Sequence, residues 1–106
     1  MSTFVRGVYL LYHMTKFQFD AQKSAALRSN PHRGIGFEEA QSLWESPYYL
    51  DQRSDAPEQF RAIGWVGDRL FSVIFEVRED TDGEYFHLVT LWRATREEQK
   101  LYEENS

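Results

Sequence analysis

The sequence predicts an α+β domain with two N-terminal helices, an antiparallel β-meander and a C-terminal helix. Three observations carry this expectation. Residues 60–66, 70–78 and 85–92 are rich in β-branched and aromatic side chains, and Gly67-Asp68 and Asp82-Gly83 separate them with turn chemistry. Residues 20–29 and 37–44 are rich in helix formers, and Asn30-Pro31 and Ser46-Pro47 close them, because the residue before proline avoids the α region. Thr95 and Glu98 stand at capping-box spacing ahead of an apolar pair, Leu101 and Tyr102.

Taken in chain order, residues 4–13 read as a strand or part of a hairpin, and Phe17-Gln18-Phe19 alternates before Asp20, a side chain suited to cap a helix. The first helix follows to Ser29. Gly34-Ile35-Gly36 is a turn, and the second helix places Phe37, Ala40, Leu43 and Trp44 on one stripe. Tyr48-Tyr49-Leu50 suits a short strand, and residues 51–57 are polar and read as a loop. In the meander, alternation sends Phe71, Val73, Phe75 and Val77 to the helix-packed face and Leu70, Ser72, Ile74 and Glu76 to the other. Helices segregated from an antiparallel sheet leave one sheet face open, a natural place for a polar site.

A chain of 106 residues suits a single domain over 1–106, with residues 1–16 as an N-terminal strand or extension. Its apolar share of 42% and aromatic share of 16% suffice for a core. Cysteine is absent, which excludes disulfides, thiolate nucleophiles and cysteine metal sites. No apolar run approaches the roughly 18 residues of a membrane helix, and the short stretch at residues 8–12 lacks the cleavage site of a signal peptide. A cytoplasmic location is therefore expected.

The net charge of −5 argues against a generic nucleic-acid binder. The charge is uneven, however. Residues 1–36 carry five basic side chains against Asp20 alone, and the rest of the chain holds seven basic and sixteen acidic ones. One face could tolerate an anion while another repels it, although a solvated surface of uneven charge accounts for the same numbers.

Three histidines are the main candidates for proton transfer. His87 falls mid-strand on a face with Tyr85, and Glu76 or Arg78 of the preceding strand is expected across from it. A histidine beside a carboxylate and an arginine can do acid–base work, and it can equally be a half-buried residue with a salt-bridged neighbour. His32 lies in the turn between the helices, where it suits either a phosphate contact or a helix cap. His13 has no motif around it and reads as structural. Lys23 and Arg28 suit phosphate, a partner or solvent, and Glu38 and Glu39 favour the helix dipole. Trp44, Trp65 and Trp92 suit the core, with Trp92 also suited to stacking a base. No phosphate-binding glycine loop, HExxH or serine elbow is present.

Three segments together resemble the BrnT family of bacterial toxins. The first is Phe17-Gln18-Phe19-Asp20 followed by Lys23. The second is His32 with Gly34 and Phe37-Glu38-Glu39-Ala40. The third runs from Phe60-Arg61-Ala62-Ile63-Gly64 through Arg93-Ala94-Thr95 to Tyr102. The resemblance spans residues 17–102.

It implies a RelE-like sheet and a metal-independent, cofactor-free ribonuclease neutralised by a BrnA-type antitoxin, with which it would form a hetero-oligomer. Read together with the strand faces above, it makes His87, Glu76, Arg78 and Arg93 the catalytic candidates, and Lys23, His32, Arg61 and Trp92 the RNA-binding ones. Gln59, His87 and Trp92 stand where the family carries arginine, a donor suited to bidentate phosphate contact. The resemblance therefore also admits a second reading, a catalytically weak or inactive binding module.

Overall fold

In the computed structural model, residues 7–9 and 16–105 are described. The chain folds as β1 (Gly7–Tyr9), β2 (Phe17–Gln18), α1 (Ala21–Ser29), α2 (Phe37–Ala40), a 3₁₀ turn (Gln41–Glu45), β3 (Tyr48–Asp55), β4 (Glu58–Val66), β5 (Arg69–Asp80), β6 (Gly83–Arg93) and α3 (Arg96–Glu104). The class is α+β, as expected. The sheet has six strands in the order β1-β3-β4-β5-β6-β2.

The meander is longer than the sequence reading. Residues 51–55, expected as loop, continue β3, and Asp51 pairs with Arg61 of β4. Polar composition misled here because one face of this strand is polar. The sheet is also mixed rather than purely antiparallel, since the short β2 runs parallel to the end strand β6. Of the strand expected over residues 4–13, only β1 is among the described residues. Arg6 and His13 lie outside them. No helix among the described residues is long and apolar enough to cross a membrane.

Turn chemistry sets the register. Val66 pairs with Arg69, so Gly67 and Asp68 alone make the β4–β5 turn. Gly67 has φ +64 and no non-glycine residue among the described residues has positive φ, which is the type II′ pattern with glycine in the first central position.

Asp20 caps α1, its Oδ1 accepting the Lys23 backbone N–H at 2.9 Å. Ser24, the buried residue of α1, reaches the next helix. Its Oγ accepts the Phe37 backbone N–H at 2.8 Å and donates to Glu38. Arg28 spans Glu38 (2.6 Å) and Glu39 (3.1 Å), and the Gly36 backbone N–H donates to Glu39 Oε1 at 2.7 Å. The two helix-opening carboxylates therefore clamp α1 to α2 as well as meeting the dipole. After Ala40 the second helix tightens into the 3₁₀ turn, yet Phe37, Ala40, Leu43 and Trp44 are all buried as the stripe requires.

These four pack on Ala62, Phe71, Val73, Phe75, Leu88 and Leu91. Fully burying a large apolar side chain is worth about 1.5–3 kcal/mol, so this cluster dominates the stability of the fold. Three of the four β5 residues expected on this face are in the core. Val77 is the exception, 39% exposed, because the helices end before it.

The C-terminal helix adds a correction to the one-sided arrangement. α3 packs on the opposite sheet face, with Leu101 and Tyr102 against Tyr49, Ile63 and Ala94. It covers only one end of that face, and the remainder carries the candidate site.

Gly36 sits where the two N-terminal helices approach most closely. A Cβ there would lie 2.5 Å from Ser24 Oγ and 2.8 Å from the Ser24 carbonyl oxygen. Gly36→Ala should therefore destabilise the fold by about 1–3 kcal/mol, the usual cost of overpacking, measured as a lowered urea midpoint at unchanged slope.

Candidate functional site

The sheet face left open by α3 begins with a pair in register. Glu76 of β5 is the cross-strand partner of His87 of β6, and Arg78 is the partner of Tyr85. The period of two puts Glu76 and Arg78 on one face, as the sequence led us to expect.

Glu76 is fully engaged. Gln59 of β4 donates to its Oε2 at 2.8 Å, and Arg78 donates to its Oε1 through Nη2 (2.6 Å) and Nε (3.1 Å). The Gln59 amide and the Arg78 guanidinium hold the carboxyl below the usual carboxylate range. Glu76 thus stays ionised and serves to orient Arg78, whose side chain is about half exposed.

His87 is different. Its ring makes no hydrogen bond among the described residues, and burial pushes its pKa below the ordinary histidine value. The Arg78 charge adds to that lowering, Glu76 opposes it, and Lys23 of α1 lowers it further. At neutral pH the result is a neutral imidazole beside Arg78, with the Lys23 charge acting on it from α1.

A β-bulge decides what else shares this face. On β6, Leu88 pairs with Phe75 and Thr90 with Ile74, so Val89 is the extra residue. One extra residue turns every later side chain over. Trp92 consequently joins the face of His87, opposite Ser72, while Arg93 pairs with Phe71 on the other side. The structure thus removes Arg93 from the predicted catalytic group. Its Nη2 instead lies 3.7 Å from where a Cβ of Gly34 would stand.

Of the RNA-binding candidates, Trp92 is on this face, whereas Lys23 belongs to α1, which packs on the other side of the sheet, and only its charge reaches His87. Arg61 shares the face with Trp92, but its guanidinium is spent on the protein, bonded to both oxygens of Asp51 and to Glu98 Oε2 at 3.3 Å. His32 is apart from the cluster. It is exposed beyond the C-terminal end of α1, its backbone N–H on Asn30 Oδ1 at 2.8 Å, and its ring makes no hydrogen bond among the described residues.

Glu98 ties the face to α3. It is 4% exposed and its Oε1 accepts the Trp92 indole N–H at 2.9 Å and the Thr95 backbone N–H at 2.9 Å. The Thr95 hydroxyl accepts the Glu98 backbone N–H, completing the predicted capping box. Burial works against this carboxylate, but the Thr95 N–H, the indole and Arg61 outweigh it and hold its pKa below the ordinary value.

Sequence reading missed Arg53, whose guanidinium stands 5.0 Å from the centroid of the Trp92 ring. It also missed the bridging role of Gln59. The available signal was the alternation Tyr49, Asp51, Arg53, which marks a strand with one polar face. No group of three His, Asp or Glu among the described residues is arranged to hold a metal ion. A scan against protein-family models gives no match to this chain, and a search of curated proteins gives none either.

Two expectations follow from this geometry. In an NMR titration the His87 ring should lose its proton below the ordinary histidine pKa near 6.5, and Arg78→Ala should raise that pKa by removing a cation. Because the folded value is the lower one, His87 contributes stability above pH about 6.5 that is lost as pH falls through its folded value. Glu98→Ala should cost about 1–3 kcal/mol, since it leaves the indole N–H and a helix N–H without their carboxylate and Arg61 with Asp51 alone. Wild-type stability should likewise fall as acid protonates Glu98. Urea unfolding of both proteins at neutral pH and near pH 4 checks both effects.

Proposed function

We propose that this chain is a BrnT-like toxin of a type II toxin–antitoxin system, a metal-independent endoribonuclease of RelE-like architecture. In this reading it works in the cytoplasm and is held inactive by a BrnA-type antitoxin. One observation carries it: a neutral His87, with no hydrogen bond to its ring among the described residues, near Arg78 on an open sheet face, with the Lys23 charge acting on it from α1. The three-part sequence resemblance over residues 17–102 supports it.

The chemistry follows from the charges. His87 takes the proton of a ribose 2′-OH as general base. The 2′-oxygen attacks the adjacent phosphorus, and the bond from phosphorus to the 5′-oxygen breaks. The products are a 2′,3′-cyclic phosphate and a 5′-hydroxyl, the leaving oxygen taking its proton from water. Arg78 stabilises the charge that grows on the phosphorane oxygens, with the Lys23 charge adding to it from α1. Glu76 keeps the Arg78 fork aimed and is not itself the base, because Gln59 and Arg78 occupy its oxygens.

A second reading, a catalytically weak or inactive binding module, has its own support. Gln59 and Trp92 bond to carboxylates where the resemblance expects arginine, and Arg61 is committed to Asp51 and Glu98.

The two readings part in one assay. Purified protein incubated with single-stranded RNA in EDTA should cleave it to cyclic-phosphate ends, and His87→Ala should slow this by about 10²–10⁴-fold. The rate should rise with pH through the lowered His87 pKa and level off above it. Cleavage indifferent to His87→Ala would overturn the assignment. No cleavage, together with a stable complex with a BrnA-type protein and no growth arrest on expression, would favour the binding module.

A further inference from the structure

From the placement of Arg53 and Trp92 we infer a base-binding step for single-stranded nucleic acid, in which a base stacks on the Trp92 indole and Arg53 takes the neighbouring phosphate. It rests on the proposed RNA-directed function and adds to it a specific binding subsite. Three observations build it.

The indole is held rigidly at its polar edge. Its N–H is bonded to Glu98, which Thr95 and Arg61 fix in turn. A stacking platform gains from such rigidity, because little order remains to be lost on binding.

Arg53 covers the indole, and it is an exposed side chain on β3, a strand separated from β6 by two others. For a β3 side chain to reach a β6 ring across β4 and β5, the sheet must be concave on this side. Ile74 of β5, on this same face, is 1% exposed. A cation resting on a partly exposed aromatic is held only modestly, and a nucleobase stacks on the same surface more strongly. Displaced from the ring, the guanidinium remains beside the strand as a phosphate donor.

The third observation is charge. Among the described residues Arg53 and Lys23 have no carboxylate partner, whereas Arg61 and Arg78 are both ion-paired. Next to Arg53 is a polar hollow of about 460 Å³ lined by Asp51, Gln52, Arg53 and Arg61. The strand would thus run from Arg53 and Trp92 toward Arg78 and His87, with phosphates on the cations and one base on the indole.

The test uses the full chain and an uncleavable 2′-O-methyl RNA of about eight nucleotides, within the usual site size. Binding should quench tryptophan fluorescence. Trp44 is buried in the core and Trp65 faces Tyr102, so the quenching should vanish in Trp92→Phe and survive in Trp65→Phe. Arg53→Ala removes no buried contact and should fold normally. It should weaken binding about five- to tenfold and flatten the plot of log affinity against log salt by about 0.7. An oligonucleotide with abasic sites and the same phosphates should bind at least about fivefold more weakly.

Absence of binding would overturn the inference. So would unchanged affinity and salt slope in Arg53→Ala, equal binding of the abasic strand, or quenching that persists in Trp92→Phe. The activity assay fails separately. Binding that depends on Arg53 and Trp92 without RNA cleavage would leave this site standing and remove the nuclease. Cleavage that ignores Arg53 would do the reverse.

Discussion

Val89 has no opposite residue on β5, and the side chains that follow it on β6 are turned over by that one insertion. Without it, strict alternation would set Arg93 beside His87 and bury Trp92 under the N-terminal helices. With it, the indole reaches Glu98 and the N-terminus of α3, and Arg93 leaves for the opposite side. The composition of the open face therefore depends on a backbone irregularity more than on the pattern of residue types. Conversely, the two strand segments on either side of the bulge each keep a clean core face, with Phe86 and Leu88 before it and Leu91 after it.

Glu98 converts this arrangement into a rigid one. Its carboxylate meets a guanidinium, an indole N–H and a helix N–H at once, so most of its lone pairs are used. A buried charge with that many donors repays its desolvation, whereas one with a single partner generally does not. The consequence is that α3, β4 and β6 are joined through polar contacts on the same face that carries the candidate site. Stability and the positioning of Trp92 are therefore coupled. The His87 cluster beyond the bulge is independent of that network and is organised by Gln59, Glu76 and Arg78 instead.

Much of this fold was legible in the sequence, for identifiable reasons. Local signals succeeded where the physics is local: Asp20 and Thr95 as caps, Gly67-Asp68 as a two-residue turn, and Phe37, Ala40, Leu43 and Trp44 as a buried stripe. Periodicity placed Glu76 or Arg78 across from His87, and the register chose Glu76, because no bulge lies between those residues and their turn. Three features were not legible. The parallel addition of β2 to β6 involves only two residues and leaves no periodic trace. The extension of β3 was hidden because Asp51 and Arg53 are polar, and only their partners, Arg61 and Trp92, explain why a strand tolerates them. The bulge at Val89 is a choice of backbone pairing that a β-branched residue does not announce. These errors compound at the site, which is why Arg53 was missed and Arg93 misplaced.

The overall charge of −5 now has a structural resolution. Acidic groups neutralise several of the cations that a phosphate chain would need. Asp80 holds Lys16, Glu38 and Glu39 hold Arg28, and Asp51 and Glu98 hold Arg61. An acidic protein of this kind exerts little long-range attraction on RNA, and its field beyond a Debye length of about 8 Å at physiological salt works against approach. What remains is short-range and confined to one concave face, where Arg53 has no carboxylate partner among the described residues and Arg78 is half exposed. Recognition on such a surface has to come from stacking and from a few well-placed contacts rather than from steering. A partner that brings its own positive charge would meet no such barrier.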